Sequence, residues 1–211
     1  MDPAETKHRK DVLEALSKYQ TEGEVEITAS SLGDMLQRES DRGIVIIITS
    51  FIEDALLDRI LEELPRGKEA RRSLVRGGPL RSFEQRVALA KAMDIIGRYE
   101  VETIDAFRCM RNACSHSRKD ISFETPELTN ALYLCLDPES DDRYDKDKLN
   151  NGRSIFLIVA TFILSKLRGQ SFEDTHDLML QLTHEMSKTE EGLIRTDELL
   201  FAALPQKPTG K

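Results

Sequence analysis

Apolar residues recur at helical spacing along most of this chain. Between Lys7 and Tyr19, Val12, Leu13 and Leu16 fall on one side of a helix. Thr21-Glu22-Gly23-Glu24 breaks that pattern, and residues 28–38 predict a short helix with Ser30 or Ser31 as its cap. The segment from Asp41 to Leu64 reads two ways. Ile44-Val45-Ile46-Ile47-Ile48 alone suits a buried strand. No turn signal follows before Pro65, however, and Phe51, Ile52, Ala55, Leu56, Ile60, Leu61 and Leu64 continue at helical spacing. One long helix, buried all round in its first half, accounts for the whole segment.

Gly77-Gly78-Pro79 is a loop, and Ser82-Phe83-Glu84-Gln85 reads as a capping box that opens a helix running to Gly97. A helix over 99–117 turns Val101, Ile104, Phe107 and Met110 toward the core. Pro126 suits the first turn of a helix over 126–136. Asp137 to Asn151 is an acidic loop, and further helices are predicted after it, near 153–168 and 171–190. The expected fold is therefore all-α: a single bundle-like domain over 1–211 with six to eight helices. Residues 1–6 and 205–211 are expected to be disordered. The core should form around helices 41–64, 82–97, 99–117 and 153–168.

Composition agrees with this pattern. The chain has 211 residues, 32% of them charged and 6% aromatic, with no Trp. Helix-forming residues abound while Gly and Pro are sparse. The net charge of −8 argues against broad adhesion to nucleic acid. The longest apolar run, Ile155 to Leu164, is too short for a bilayer, and the first residues show no apolar signal region. Cys109, Cys114 and Cys135 form no C-x-x-C pair, and the apolar neighbours of Cys109 and Cys114 predict buried thiols. A soluble, cytoplasmic protein is expected, with no cofactor and no membrane partner.

Candidate chemistry concentrates in Arg111-Asn112-Ala113-Cys114-Ser115-His116. On a helix, Asn112 and His116 share a face, while Arg111 and His116 diverge by about 140°. A neutral His transfers protons near neutral pH, and an Arg grips phosphate or carboxylate. Together they suit metal-free phosphodiester cleavage. The plainer alternative pairs Arg111 with an acid, lets Asn112 cap or bond backbone, and leaves His116 at a helix end where its charge suits the dipole.

A second candidate is the basic stretch from Arg66 to Arg86. Seven cations (Arg66, Lys68, Arg71, Arg72, Arg76, Arg81 and Arg86) face two acids, a local balance of +5. Arg71, Arg72, Arg76, Arg81 and Arg86 make an anion, nucleic-acid or acidic-partner surface one reading; pairing with acidic faces of the same chain is the other. Metal sites are not expected. Asp137-x-Glu139-x-Asp141 starts like a calcium loop, but Asp142 and Lys148 stand where the turn Gly and closing Glu belong. His176 and His184 would lie about 12 Å apart on a helix, too far for one ion. Phosphate-loop, nucleophile-elbow, zinc and helix-turn-helix signatures are absent from the sequence.

Two segments carry a family resemblance. They are Gly77-Gly78-Pro79-Leu80-Arg81-Ser82-Phe83-Glu84-Gln85-Arg86-Val87 and Phe107-Arg108-Cys109-Met110-Arg111-Asn112-Ala113-Cys114-Ser115-His116-Ser117, followed by Ile121-Ser122-Phe123. In this order, and with the apolar helix around Arg42 to Leu57, they resemble the mannitol-operon repressor (MltR-like) family over roughly residues 35–170. The resemblance implies an all-helical fold and an accessory, repressor-like role in transcription. It implies action through protein partners, such as a DNA-binding regulator, with no tight specific DNA binding by the chain alone. Behind it lies a wider resemblance to the HEPN helical domains, whose mark is R-x-x-x-x-H at a helix end. That implies a homodimer and an alternative function: a metal-independent ribonuclease in which Arg111 stabilises the phosphate, His116 is the acid/base and Asn112 positions the site. RNA would then be the substrate. A non-catalytic structural interaction module is the third reading. The extra arginines Arg76 and Arg81 and the acidic loop 137–147 depart from the MltR-like pattern, which sets mannitol specificity aside.

Overall fold

The structure is a computed structural model that describes residues 36, 38–135 and 152–169, apart from the side chain of Lys68. The helices expected at 7–19 and 171–190, the acidic loop, the calcium-like segment, the His176–His184 pair and both termini lie outside those residues, as does all of the 28–38 helix except Leu36 and Arg38. The described part is all-α. Its six helices are α1 (Asp41–Glu63), α2 (Gly67–Val75), α3 (Phe83–Ala92), α4 (Arg98–His116), α5 (Pro126–Tyr133) and α6 (Gly152–Leu167).

Helix α1 is the hub, packing against α2, α3, α4 and α6. The β-branched run that could have been a strand is its first two turns. Ser40 caps it, its hydroxyl accepting from the Gly43 N–H at 3.1 Å, and Asp41 sits in the positive first turn. A β-branched residue costs a helix up to about 0.7 kcal/mol. Burying an Ile side chain contributes about 1.5–3 kcal/mol, so burial decides. Ile44, Val45 and Ile48 are fully buried. The first half is not buried all round, however: Ile46 and Ile47 remain half-buried at its outer edge.

Helix α6 is more deeply enclosed, with every residue from Ser154 to Ser165 buried. The run too short to span a bilayer is thus a core helix. Phe156 stacks on Phe107 of α4 at 4.6 Å and on Phe123 at 5.5 Å, while Phe162 meets Tyr99 edge-on at 5.6 Å. These rings join α6 to α4 and to the segment before α5. No helix among the described residues is long and apolar enough to cross a membrane.

Three boundaries differ from the sequence expectation. The arginine-rich stretch left unassigned there is helix α2. Helix α3 stops at Ala92 instead of Gly97, because Asp94 takes a left-handed φ of 58° and the Ile95 N–H turns back to Ala90 O at 2.9 Å. Asp tolerates that conformation better than most residues, and the reversal buries Ile96. Helix α5 ends at Tyr133, short of residue 136. The capping box is present as read: Ser82 accepts from Gln85 N at 3.3 Å, and Gln85 accepts from Ser82 N at 3.1 Å. Cys109 is exposed, contrary to expectation, while Cys114 and Cys135 are buried.

Candidate functional site

The Arg111–His116 segment forms the last turn and a half of α4, and His116 is the final helical residue. The start of α1 fixes this end. Arg42 donates to the Ser117 carbonyl at 3.0 Å, just past the helix. Asp41 accepts from the Phe123 N–H at 3.0 Å and pairs with Arg153 of α6 at 3.4 Å. Arg153 also donates to the carbonyls of Leu36 and Glu39. Two adjacent residues of α1 thereby hold the C-terminus of α4, the approach to α5 and the N-terminus of α6.

Within the segment the side chains part. Arg111 turns inward, and its guanidinium donates to Glu53 Oε2 of α1 at 3.0 Å. The other Glu53 oxygen receives Arg86 of α3 at 3.1 Å. Arg86 Nε in turn donates to the Leu80 carbonyl at 3.0 Å. The side chains of Arg86 and Glu53 keep only 8% and 17% of their exposure, whereas Arg111 keeps 32%. One carboxylate therefore clamps α3 and α4 to α1. Asn112 and His116 point to solvent and make no hydrogen bond or ion pair among the described residues. They share a face, as their spacing requires. The structure thus engages Arg111 with an acid and leaves the other two candidate groups free.

The basic stretch divides in the same manner. Arg71 pairs with Asp58 of α1. Arg86 belongs to the Glu53 clamp and is buried, so it is not a surface cation. Arg72, Arg76 and Arg81 are exposed and make no ion pair among the described residues. Asp54 lies beside Glu53 on α1. Its carboxyl is pushed up, first by partial burial and then by the Glu53 charge, with Arg86 opposing and Asp58 adding to the rise. The rest of Asp54 remains open to solvent, which tempers the burial effect. Glu53, Asp54 and Asp58 thus form an acidic edge on α1, opposed by Arg71, Arg86 and Arg111. Sequence reasoning missed Glu53 and Asp54, which carry no motif.

No group of three metal-ligating side chains occurs among the described residues. A shallow cavity of about 240 Å³ at the α1–α2 junction, lined by Leu61, Glu62, Leu64, Pro65, Arg66, Gly67 and Glu69, does not touch the Arg–His segment. It is smaller than the roughly 300–1,000 Å³ of ordinary small-molecule sites.

No protein-family model, curated protein or solved structure matches the chain.

Proposed function

We propose that this chain is an accessory, repressor-like regulator of the MltR-like kind, which acts through protein partners and not through a DNA-reading element of its own. The observation that carries this reading is the Glu53 clamp. The residue that would grip a phosphate, Arg111, is held by a carboxylate that also serves a buried arginine. Its role there is to fix one helix on another. The sequence carries no helix-turn-helix signature, and the net charge is −8. In a shift assay at physiological salt, the isolated protein is expected to show no nanomolar, sequence-dependent DNA binding. Such binding would mark a true specific binder and end this reading.

One observation favours a second reading, a HEPN-type ribonuclease. Asn112 and His116 stand free on one face at a helix end, where a homodimer mate or an RNA could meet them. That reading needs Arg111 to leave Glu53, and it predicts RNA cleavage without metal. The third reading, a purely structural interaction module, shares the clamp and differs only in lacking a regulatory partner.

A further inference from the structure

Three of the arginines left unpaired by the acidic edge of α1, Arg72, Arg76 and Arg81, lie close together in the chain. Arg72 lies in α2, Arg76 is its C-cap, and the two are four residues apart on one face. The neighbouring Leu74 and Val75 turn the other way, onto the core. Arg81 follows across the turn 77–80.

That turn is rigid. Gly77 has φ of +79°, the left-handed region that glycine favours. A Cβ on Gly78 would lie 2.2 Å from the Ser73 carbonyl oxygen, so the chain passes too close to α2 for any side chain. Leu80 is fully buried, and its N–H donates to Leu74 O at 2.9 Å. Arg81 N–H donates to Gly78 O at 3.3 Å, and the Leu80 carbonyl accepts from the buried Arg86. The guanidiniums of Arg72, Arg76 and Arg81 thus project from a backbone already fixed in place, which lowers the ordering cost of binding.

We infer that Arg72, Arg76 and Arg81 form a docking surface for an acidic, Asp/Glu-rich segment of a partner protein. This rests on the proposed action through protein partners and names the chemistry of the partner. A guanidinium fork suits carboxylates and phosphates alike, so the choice between protein and nucleic acid comes from the surroundings. The one aromatic residue between Arg66 and Arg86 is Phe83, which is buried, so this stretch itself offers no stacking platform. Three arginines also fall short of the roughly six to ten phosphate contacts typical of duplex binders, on a chain whose net charge of −8 repels long polyanions. Glu69 and Glu84 are exposed on the same segment and offset part of its positive charge.

The test uses the full chain and a fluorescent Glu/Asp-rich peptide, followed by anisotropy. The wild type should bind, and binding should weaken as salt rises. Combined Arg72→Ser, Arg76→Ser and Arg81→Ser substitution should lower affinity roughly tenfold or more without moving the melting temperature, since these side chains make no hydrogen bond or ion pair among the described residues. Arg118→Ser with Lys119→Ser, which removes two exposed cations elsewhere, should leave binding intact. Absence of peptide binding, equal loss in the control pair, or tighter binding of duplex DNA or RNA by the same three arginines would overturn the inference. Loss of peptide binding alone leaves the regulator reading standing; His116-dependent RNA cleavage would remove that reading instead.

Discussion

Arg111 of α4 donates to Glu53 of α1 at 3.0 Å, and the other oxygen of the same carboxylate is held by Arg86 of α3 at 3.1 Å. The two arginines are not equivalent. Arg86 is buried and bonds a backbone carbonyl as well, whereas Arg111 keeps a third of its surface in water. Water screens the Arg111 pair, while removing Arg86 takes a buried partner from one Glu53 oxygen and from the Leu80 carbonyl.

The first prediction follows from that asymmetry. Arg86→Ala should destabilise the fold by about 3–5 kcal/mol, the usual cost of breaking a buried pair from one side. Arg111→Ala should cost about 1 kcal/mol, nearer the value of an exposed pair. Urea melts of the two variants measure both. Equal losses would show that burial does not separate them.

Asp54 gives a pH signature. Its carboxyl is raised above the ordinary 3.8, by burial first and by Glu53 next. A raised acid favours the fold while protonated. That stability is fully present below 3.8 and is lost as pH rises through the higher folded value. Asp54→Asn should therefore raise the melting temperature at neutral pH, and the gain should shrink toward zero below pH 3.8. A variant less stable than wild type at neutral pH would show instead that attraction to Arg86 and Arg71 dominates.

The thiols should separate by accessibility. Cys109 should react at once with a thiol reagent in the native protein. Cys114 and Cys135 should react only on unfolding, because burial hides both and pushes both thiols up in the fold, Cys135 to about 12. Mass spectrometry of the labelled protein assigns the sites. Early labelling of Cys135 would contradict the packing of α5.

Local chemistry made much of this fold legible in the sequence. Ser82 and Gln85 announce a helix start through three residues, and the 41–64 pattern outlasts what a strand allows. The pattern also held a warning about Cys109. The buried stripe of α4 runs through Ile104, Phe107, Met110 and Cys114, and Cys109 is off it by more than a quarter turn. Apolar neighbours in sequence were a poorer guide than the period. The end of α3 was not legible, because Asp94 has no glycine to mark its left-handed φ. The candidate site was legible only as residue types. Asn112 and His116 fall where helical spacing puts them. The partner of Arg111 lies 58 residues away, and Arg86 bonds the Glu53 carbonyl across 33, so composition counts Arg86 as a surface cation when packing makes it a buried one.

RNA cleavage by the purified full chain in EDTA, measured alongside melting for wild type, Arg111→Ala and His116→Ala, tests the central claim most directly. The account predicts no cleavage above background from any of the three, with a lower melting temperature for Arg111→Ala. Cleavage by the wild type that falls roughly 10²–10⁴-fold in a fully stable His116→Ala, the usual worth of a positioned acid/base, would contradict it.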